Sequence, residues 1–320
     1  MAYPIEAKLV IAVASSALFD LTESDAVFRK AGEDGYRAYQ REHQDDVLRP
    51  GVAYPFIRRL LGLNGVASAD QPVEVILLSR NDPDTGLRVF NSIQAHKLAI
   101  TRGAFVTGKE PYRYAAAFGA SLFLSANEQD VRGAILAGHP AGLVLASKYE
   151  DDMSDEELRV AFDFDGVIAD DEAEIIYHET GQLSSFHEAE EEKVLRAHNP
   201  GPLKELLVKI AALQERERQK ANADKIYERR VRVAIVTARN APSHKRMVTT
   251  LREWGIRVDE TFFLGGIEKR RILEVFAPHI FFDDQRVHLD PASGLVPSVH
   301  VPFGIKNLPL DWSGEPKGSR

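Results

Sequence analysis

The sequence contains no cysteine among its 320 residues. Disulfides, thiolate metal ligands and a cysteine nucleophile are therefore excluded. No apolar run approaches the roughly 18 residues that a membrane-spanning helix needs. The stretch 9–17 is the nearest approach to a secretory signal, but its apolar core is short and its leader carries Glu6 and Lys8. It predicts a buried strand and a cytoplasmic protein.

Positive charge is in deficit, with 40 Lys and Arg against 48 Asp and Glu, a formal net charge of −8. A nucleic acid polymer needs a basic surface that releases counterions, so such a partner is not expected. A small anionic substrate stays open, because only the local field of its site must be positive. The 44% hydrophobic content and the length suit two domains or one large α/β unit.

Short apolar runs, each followed by a helical pattern, predict buried parallel strands. These runs are 8–13, 73–78, 121–124, 143–146, 159–162, 231–236 and 279–282. The alternation of strand and helix predicts an α/β fold with a doubly wound parallel sheet. In such sheets ligands bind at the carboxyl ends of the strands.

The segment 170–230 differs from the rest of the chain. It begins with many acids and continues with a long amphipathic helical pattern, so we predict a helical cap inserted between two strands. The acidic run 188–192 within it is typical of a solvated helix face. The tail 306–320 is rich in Pro and Gly and is predicted to be irregular.

The two halves of the chain resemble each other. The segment 75–81, which ends in Ser-Arg80-Asn81, resembles 234–240, which ends in Ala-Arg239-Asn240. Further pairs are 105–108 with 263–266, 122–126 with 281–284, and Ser15-Ser16 with the acids that follow the strand 159–162. The alternative is chance similarity between α/β halves. We predict a duplicated unit whose first copy has lost its carboxylates.

Four features of the second half carry chemistry. They are Asp163-Phe-Asp165 after a strand, Thr237 after the next, Lys269 opening a helix, and Asp283-Asp284 after a third strand. A carboxylate can attack phosphorus, and a second one can transfer protons. Clustered carboxylates around a phosphate call for Mg²⁺, while hydroxyl and ammonium groups bind the remaining phosphoryl oxygens.

These features resemble the motif set of the haloacid dehalogenase-like hydrolase superfamily. A closer resemblance, to the cytosolic 5'-nucleotidase I family, is carried by further segments: 79–81, 91–93, 201–204, 236–239, 281–285 and 299–304. The resemblance implies a catalytic haloacid dehalogenase-like domain at 151–305, with the cap at about 170–230, preceded by a catalytically silent half at 1–150. It also implies a Mg²⁺-dependent 5'-nucleotidase that hydrolyses nucleoside 5'-monophosphates through an aspartyl-phosphate.

The resemblance implies a role for each motif residue. Asp163 is the nucleophile and a Mg²⁺ ligand. Asp165 is the general acid and base, and its backbone carbonyl faces the metal. Thr237 holds the transferring phosphoryl group, and Lys269 neutralises the phosphate and orients Asp163. Asp283 and Asp284 complete the metal site, and which of the two contacts Mg²⁺ directly is left open.

Five residues are candidates for substrate binding. Gly166 allows close approach of the backbone to a ligand. Ala238 and Arg239 follow Thr237; for Arg239, anchoring a loop is an equal alternative. Phe186 and His187 could stack on a base, although an aromatic cluster inside the cap is the stronger interpretation.

Other functions stay open at this stage. They are a phosphatase or phosphotransferase for another small phosphate ester, and a nucleotide-sensing protein with vestigial activity. In the first half, Arg80, Asn91, Lys109 and Arg113 are candidates for an anion site that holds a regulatory nucleotide. The alternative is that this half is a packing platform. A homo-oligomer is also compatible with the sequence.

Overall fold

The computed structural model describes residues 4–65 and 71–307. The strands in this part of the chain are β1 Leu9–Val13, β2 Val73–Ser79, β3 Arg102–Phe105, β4 Leu122–Ser125, β5 Ala141–Val144, β6 Leu158–Phe162, β7 Val231–Thr237, β8 Glu260–Phe263, β9 Ile280–Asp283 and β10 Ser298–His300. The α-helices there are α1 Ser15–Leu18, α2 Thr22–Glu42, α3 Tyr54–Gly62, α4 Leu87–Ala95, α5 Glu128–Leu136, α6 Glu172–Thr180, α7 Leu183–Glu192, α8 Lys204–Ala223, α9 His244–Glu253, α10 Lys269–Phe276 and α11 Arg286–Ala292.

All these strands belong to one sheet, in the order β3-β2-β1-β4-β5-β10-β9-β6-β7-β8. Neighbouring strands are parallel except for the antiparallel pair β5 and β10. The predicted α/β fold with a mostly parallel sheet is confirmed. Strands β3, β8 and β10 were not predicted. The first two are only partly buried edge strands and β10 is short, so none forms a long apolar run.

The strand order of the first half, β3-β2-β1-β4-β5, recurs in the second as β8-β7-β6-β9-β10. Backbone hydrogen bonds fix the equivalent positions. The N–H of Ala14 donates to the carbonyl of Leu124 at 2.8 Å, as the N–H of Asp163 donates to Phe282. Asp163 therefore corresponds to Ala14 and not, as the sequence comparison suggested, to Ser15.

The register of β2 and β7 corrects a second predicted match. The carbonyls of Ser79 and Thr237 accept from the first residue after β3 and after β8, each at 3.0 Å. The hydroxyl of each also accepts from the N–H two residues later, at 3.2 Å. Ser79 thus matches Thr237, and Asn81 matches Arg239. The sequence comparison aligned Arg80 with Arg239 because their side chains are identical, one residue out of register.

Two apolar layers cover the two faces of the sheet, and the largest joins both halves. Helix α3 of the first half contacts β6, and helix α8 of the second contacts β1. Helix α8 buries Leu206, Leu207 and Ile210 completely. The second part of the segment predicted as a cap is therefore a core helix. Helices α6 and α7, which form the first part of that segment, contact each other.

Residues 308–320 of the predicted irregular tail lie outside the described residues, and 306–307 belong to a short 3₁₀ helix, Ile305–Asn307. Within the ranges 4–65 and 71–307, we find no helix with the length and apolar character required to cross a bilayer.

One buried histidine resists protonation in the folded state. His279 precedes β9, and its Nδ1 accepts from the N–H of Arg159 at 3.0 Å. Burial, followed by the positive charges of Arg59 and Arg159, lowers the pKa of His279 to about 3. The unfolded chain binds this proton near pH 6.5, so the contribution of His279 to the stability of the folded state falls as the pH falls below that value.

We predict that His279→Asn lowers the slope of the free energy of unfolding against pH between pH 4 and 6.5, because the term contributed by His279 rises with pH in this range. One proton per molecule corresponds to a slope of at most about 1.4 kcal/mol per pH unit. Urea unfolding at pH 7.5, 6 and 5 measures it, with the exposed His178→Asn as control. Equal slopes for wild type and His279→Asn would contradict this assignment.

Candidate active site

The four chemistry-bearing features meet at one edge of the sheet. Asp163 directly follows β6, Thr237 ends β7 and Asp283 ends β9, while Lys269 is the first residue of α10. Strand β6 lies between β7 and β9. Because parallel strands end at the same edge, the fold places these side chains at neighbouring positions, as predicted for a ligand site.

Lys269 joins two carboxylates. Its Nζ lies 2.7 Å from Asp163 Oδ2 and 2.7 Å from Asp283 Oδ2, and all three side chains are buried. The second oxygen of each carboxylate accepts a backbone N–H, from Phe164 at 2.7 Å and from Gln285 at 2.8 Å. Both carboxylates are thereby fixed in direction.

The cluster carries more negative charge than Lys269 balances. Burial, opposed by Lys269 and reinforced by Asp283 and Asp165, raises the pKa of Asp163 to about 7. Burial, together with Asp163 and Asp283, raises the pKa of Asp284 to about 9. For Asp283, the charges of Lys269 and His288 outweigh burial and lower the pKa.

The cluster fits a divalent cation. Ligand atoms of Asp163, Asp283 and His288 lie within 4.8 Å of one another. Asp284 Oδ1 is buried without a hydrogen-bond partner. An added positive ion would relieve the repulsion among these carboxylates and supply the missing partner. His288, which lies 3.2 Å from Asp283, was not predicted, since a lone histidine in a helix gives no signal in the sequence.

Gly166 leaves room for Asp284. Its φ is +70°, a backbone conformation that favours glycine, and a Cβ there would lie 2.7 Å from Asp284 Oδ2. The absence of a side chain at Gly166 therefore permits the close approach of the Asp284 carboxylate. Thr237 is buried, and its hydroxyl accepts the N–H of Arg239.

A cavity of about 370 Å³ opens beside Asp165. It is lined by Asp165, Ala173, Glu174, Phe186, Ala238, Arg239, Asn240, Gly265 and Gly266. Of the predicted substrate residues, the structure thus brings together Ala238, Arg239 and Phe186. His187 is not in the lining; its ring contacts Phe186 edge-on at 5.3 Å.

The carboxylate of Asp165 faces Arg239 rather than the metal cluster. Nε and Nη2 of Arg239 donate to its two oxygens at 2.7 and 2.6 Å. Nη1 donates to Glu190 and to the carbonyl of Ser243, and Nη2 also contacts His198 Nε2 at 3.0 Å. Asp165 and Glu190 raise the pKa of Arg239 despite its burial.

The acidic run 188–192, predicted to be a solvated helix face, contains one buried residue, Glu190. Glu188, Glu191 and Glu192 are exposed as expected, but Glu190 is 2% exposed. Although burial opposes it, His198 and Arg239 lower the pKa of Glu190 to about 2. Arg246 Nη1 also donates to Glu190, at 2.8 Å.

The anion site suggested for the first half does not assemble. Arg80 lines a cavity of about 550 Å³, but Asp130 holds its guanidinium through two hydrogen bonds of 2.9 and 2.6 Å. The amide of Asn91 donates to a backbone carbonyl, and Arg113 pairs with Glu110. The same cavity is lined by three acids, Asp25, Glu33 and Asp82. This arrangement gives no support to a regulatory nucleotide.

Comparison with known proteins identifies the family of the chain. The sequence model of the 5'-nucleotidase family matches residues 1–308. Human cytosolic 5'-nucleotidase 1B is 32% identical over 299 residues, which cover 90% of this chain and 47% of that protein. The chain thus spans about half the length of this curated relative. No solved structure matches. A match over nearly the whole chain, together with this identity, makes the chain a member of the 5'-nucleotidase family, of the cytosolic 5'-nucleotidase I type.

Proposed function

We propose that this protein is a Mg²⁺-dependent hydrolase that converts nucleoside 5'-monophosphates to nucleoside and phosphate through an aspartyl-phosphate on Asp163. The observation that carries the proposal is the Lys269 ammonium between Asp163 and Asp283, with the unpartnered oxygen of Asp284 in the same buried cluster. Fixed carboxylates with surplus negative charge suit a metal-assisted phosphoryl transfer.

In this proposal the second half is a haloacid dehalogenase-like domain, with α6 and α7 as its cap. The first half is a degenerate copy of the same core. The shared strand order supports this relationship. So do the replacements at equivalent strand ends, where Ala14 and Ser125 stand for Asp163 and Asp283.

In the first step, Asp163 Oδ2 attacks phosphorus as the bond from phosphorus to the 5' oxygen breaks. Asp165 donates a proton to the departing oxygen. Lys269 and the hydroxyl of Thr237 bind phosphoryl oxygens and offset their charge. In the second step, Asp165 takes a proton from water as that water displaces Asp163 from phosphorus and frees phosphate.

The ligands of Mg²⁺ in this proposal are Asp163, Asp283, Asp284 and the carbonyl of Asp165. Bound Mg²⁺ would screen the phosphate from the carboxylates and polarise the phosphoryl group. His288 helps to orient Asp283, since its Nδ1 lies 3.2 Å from Asp283 Oδ2.

The nucleoside would occupy the cavity beside Asp165. Phe186 offers an aromatic surface there, although Arg239 lies over its ring at 5.5 Å. The choice of a nucleotide substrate follows the family and the name of the human relative, which is called cytosolic. On the same basis we expect a cytoplasmic protein.

We predict that Asp163→Asn lowers the kcat for phosphate release by at least about 10⁴-fold, because the amide cannot act as the nucleophile. Phosphate release should be measured on nucleoside monophosphates with Mg²⁺ and after chelation by EDTA, which should also abolish turnover. The exposed Asp45→Asn serves as control.

Turnover by Asp163→Asn would contradict the covalent mechanism. Sugar phosphates tested in parallel separate the nucleotidase from a general phosphatase. Preference for a sugar phosphate by orders of magnitude would contradict the nucleotide assignment, and transfer to an added nucleoside would indicate a phosphotransferase.

We predict that Lys269→Met lowers the free energy of unfolding without metal by about 3–5 kcal/mol, because two buried carboxylates lose their counter-charge. Mg²⁺ should restore more stability to this variant than to wild type. Thermal unfolding with and without Mg²⁺ measures both effects. The neighbouring exposed Arg270→Met should change stability by less than about 0.5 kcal/mol. A Lys269→Met protein as stable as wild type would contradict the role of Lys269 as the counter-ion.

A further inference from the structure

We propose that Arg239 and Glu190 are positioning residues that hold the Asp165 carboxylate for proton transfer. This inference rests on the proposed function, in which Asp165 is the general acid and base. Nε and Nη2 of Arg239 donate hydrogen bonds to the two oxygens of Asp165, and Nη1 of Arg239 donates to Glu190. Glu190 in turn is held by Arg246, which also binds Glu172 at 2.9 Å.

Arg239 has no N–H left for a substrate. A guanidinium carries five N–H donors. Those of Arg239 face Asp165 twice, Glu190, the carbonyl of Ser243, and His198 Nε2. Its plane also lies near the rings of Phe164 and Phe186, at 5.3 and 5.5 Å from their centres. With every donor used, Arg239 acts on the reaction through Asp165.

The first half shows which parts of this network the fold itself requires. Arg88 in α4 and Arg246 in α9 each donate from Nε to a backbone carbonyl at 3.0 Å. One helical turn later, Ser92 and Thr250 each donate a hydroxyl to the carbonyl of that arginine and accept a backbone N–H at 3.0 Å. This arginine and hydroxyl frame is common to both halves.

The charged side chains at the positions of Arg239 and Glu190 are not common to both halves. In the first half, Gln40 occupies the position equivalent to Glu190 and accepts a hydrogen bond from Arg88 at 3.4 Å. Asn81 occupies the position equivalent to Arg239 and accepts a hydrogen bond from the hydroxyl of Tyr36 at 3.2 Å. Neutral amides therefore build the same layer in the half that has no catalytic acids. The charges of Arg239 and Glu190 accompany Asp165, which assigns them to chemistry rather than to folding.

The position of Glu190 links the acid to the cap. Glu190 lies on α7, whereas Arg239 follows β7 and Asp165 follows β6. A carboxylate on the covering helix thus fixes the rotamer of the arginine that aims Asp165 at the cavity. A displacement of about 1 Å of a reacting group can cost about 10²-fold in rate, so this support is relevant to turnover.

The first experiment compares two substrates. Glu190→Gln should lower kcat/KM on a nucleoside monophosphate by about 10²-fold, with KM changed less than about threefold. On p-nitrophenyl phosphate, whose leaving group needs little protonation, kcat/KM should fall less than about threefold. The exposed Glu191→Gln carries the same charge change on the same helix and should match wild type on both.

The second experiment is a double-mutant cycle with Asp165→Asn. If Glu190 acts through Asp165, adding Glu190→Gln to Asp165→Asn should lower kcat less than about twofold further. Circular dichroism and thermal unfolding confirm that each variant is folded. The glutamine should be tolerated, because Gln40 occupies the equivalent position in the first half.

Two results would overturn the inference while leaving the proposed function intact. One is an equal loss of kcat/KM on both substrates, which would indicate a structural role of Glu190. The other is an additive effect of the two substitutions. A wild-type enzyme that cleaves another alkyl phosphate but no nucleotide would instead overturn the nucleotide assignment, and the same cycle would then be run on that ester. A wild-type enzyme that cleaves no phosphate ester would overturn both.

Discussion

A single ammonium group, that of Lys269, offsets the repulsion between the buried carboxylates at the strand ends. Lys269 Nζ lies 2.7 Å from each of two buried carboxylates, Asp163 and Asp283, on strands that are far apart in sequence but adjacent in the sheet. Without this ammonium group, two carboxylates so close together and shielded from water could not both be ionised. Asp284 adds a third negative group that Lys269 cannot balance. The arrangement is therefore complete only with further positive charge, which is the role given to Mg²⁺ in the proposed function.

The first half shows the same edge of the sheet without that requirement. Its equivalent strand ends carry Ala14, Ser79 and Ser125. The 3₁₀ helix that follows β3 there begins at Pro111, whereas the helix that follows β8 begins at Lys269. Small or neutral side chains need no counter-ion, so nothing there demands an ammonium or a metal. The ten-stranded sheet thus contains an internal control. What both halves share is a requirement of the fold, and the groups that only the second half has are those that the proposed function uses.

The sequence predicts most of the sheet and the residues that cluster at its strand ends, because both follow from short segments of the chain. Apolar runs such as those of β1 and β6 are buried at every or nearly every position, and Asp163 and Asp283 stand at the strand ends where ligands bind. The edge strands β3 and β8 escape prediction because partial burial leaves them mixed in composition. The alignment of the two halves was one residue out at Arg239, since backbone hydrogen bonds rather than side-chain identity set the register.

Glu190 could not be found in this way, and the reason is physical. Among neighbouring acids of similar sequence context, burial selected the one that faces Arg239 and Arg246, 49 and 56 residues further on. Buried ion pairs add little net stability compared with neutral or apolar groups of similar shape, since the charges must first leave water. Gln40 and Asn81 show that neutral groups are sufficient for the layer to fold. A charged chain from α7 through Arg239 to Asp165 is therefore better explained by what it does to the orientation of Asp165 than by what it adds to the stability of the fold.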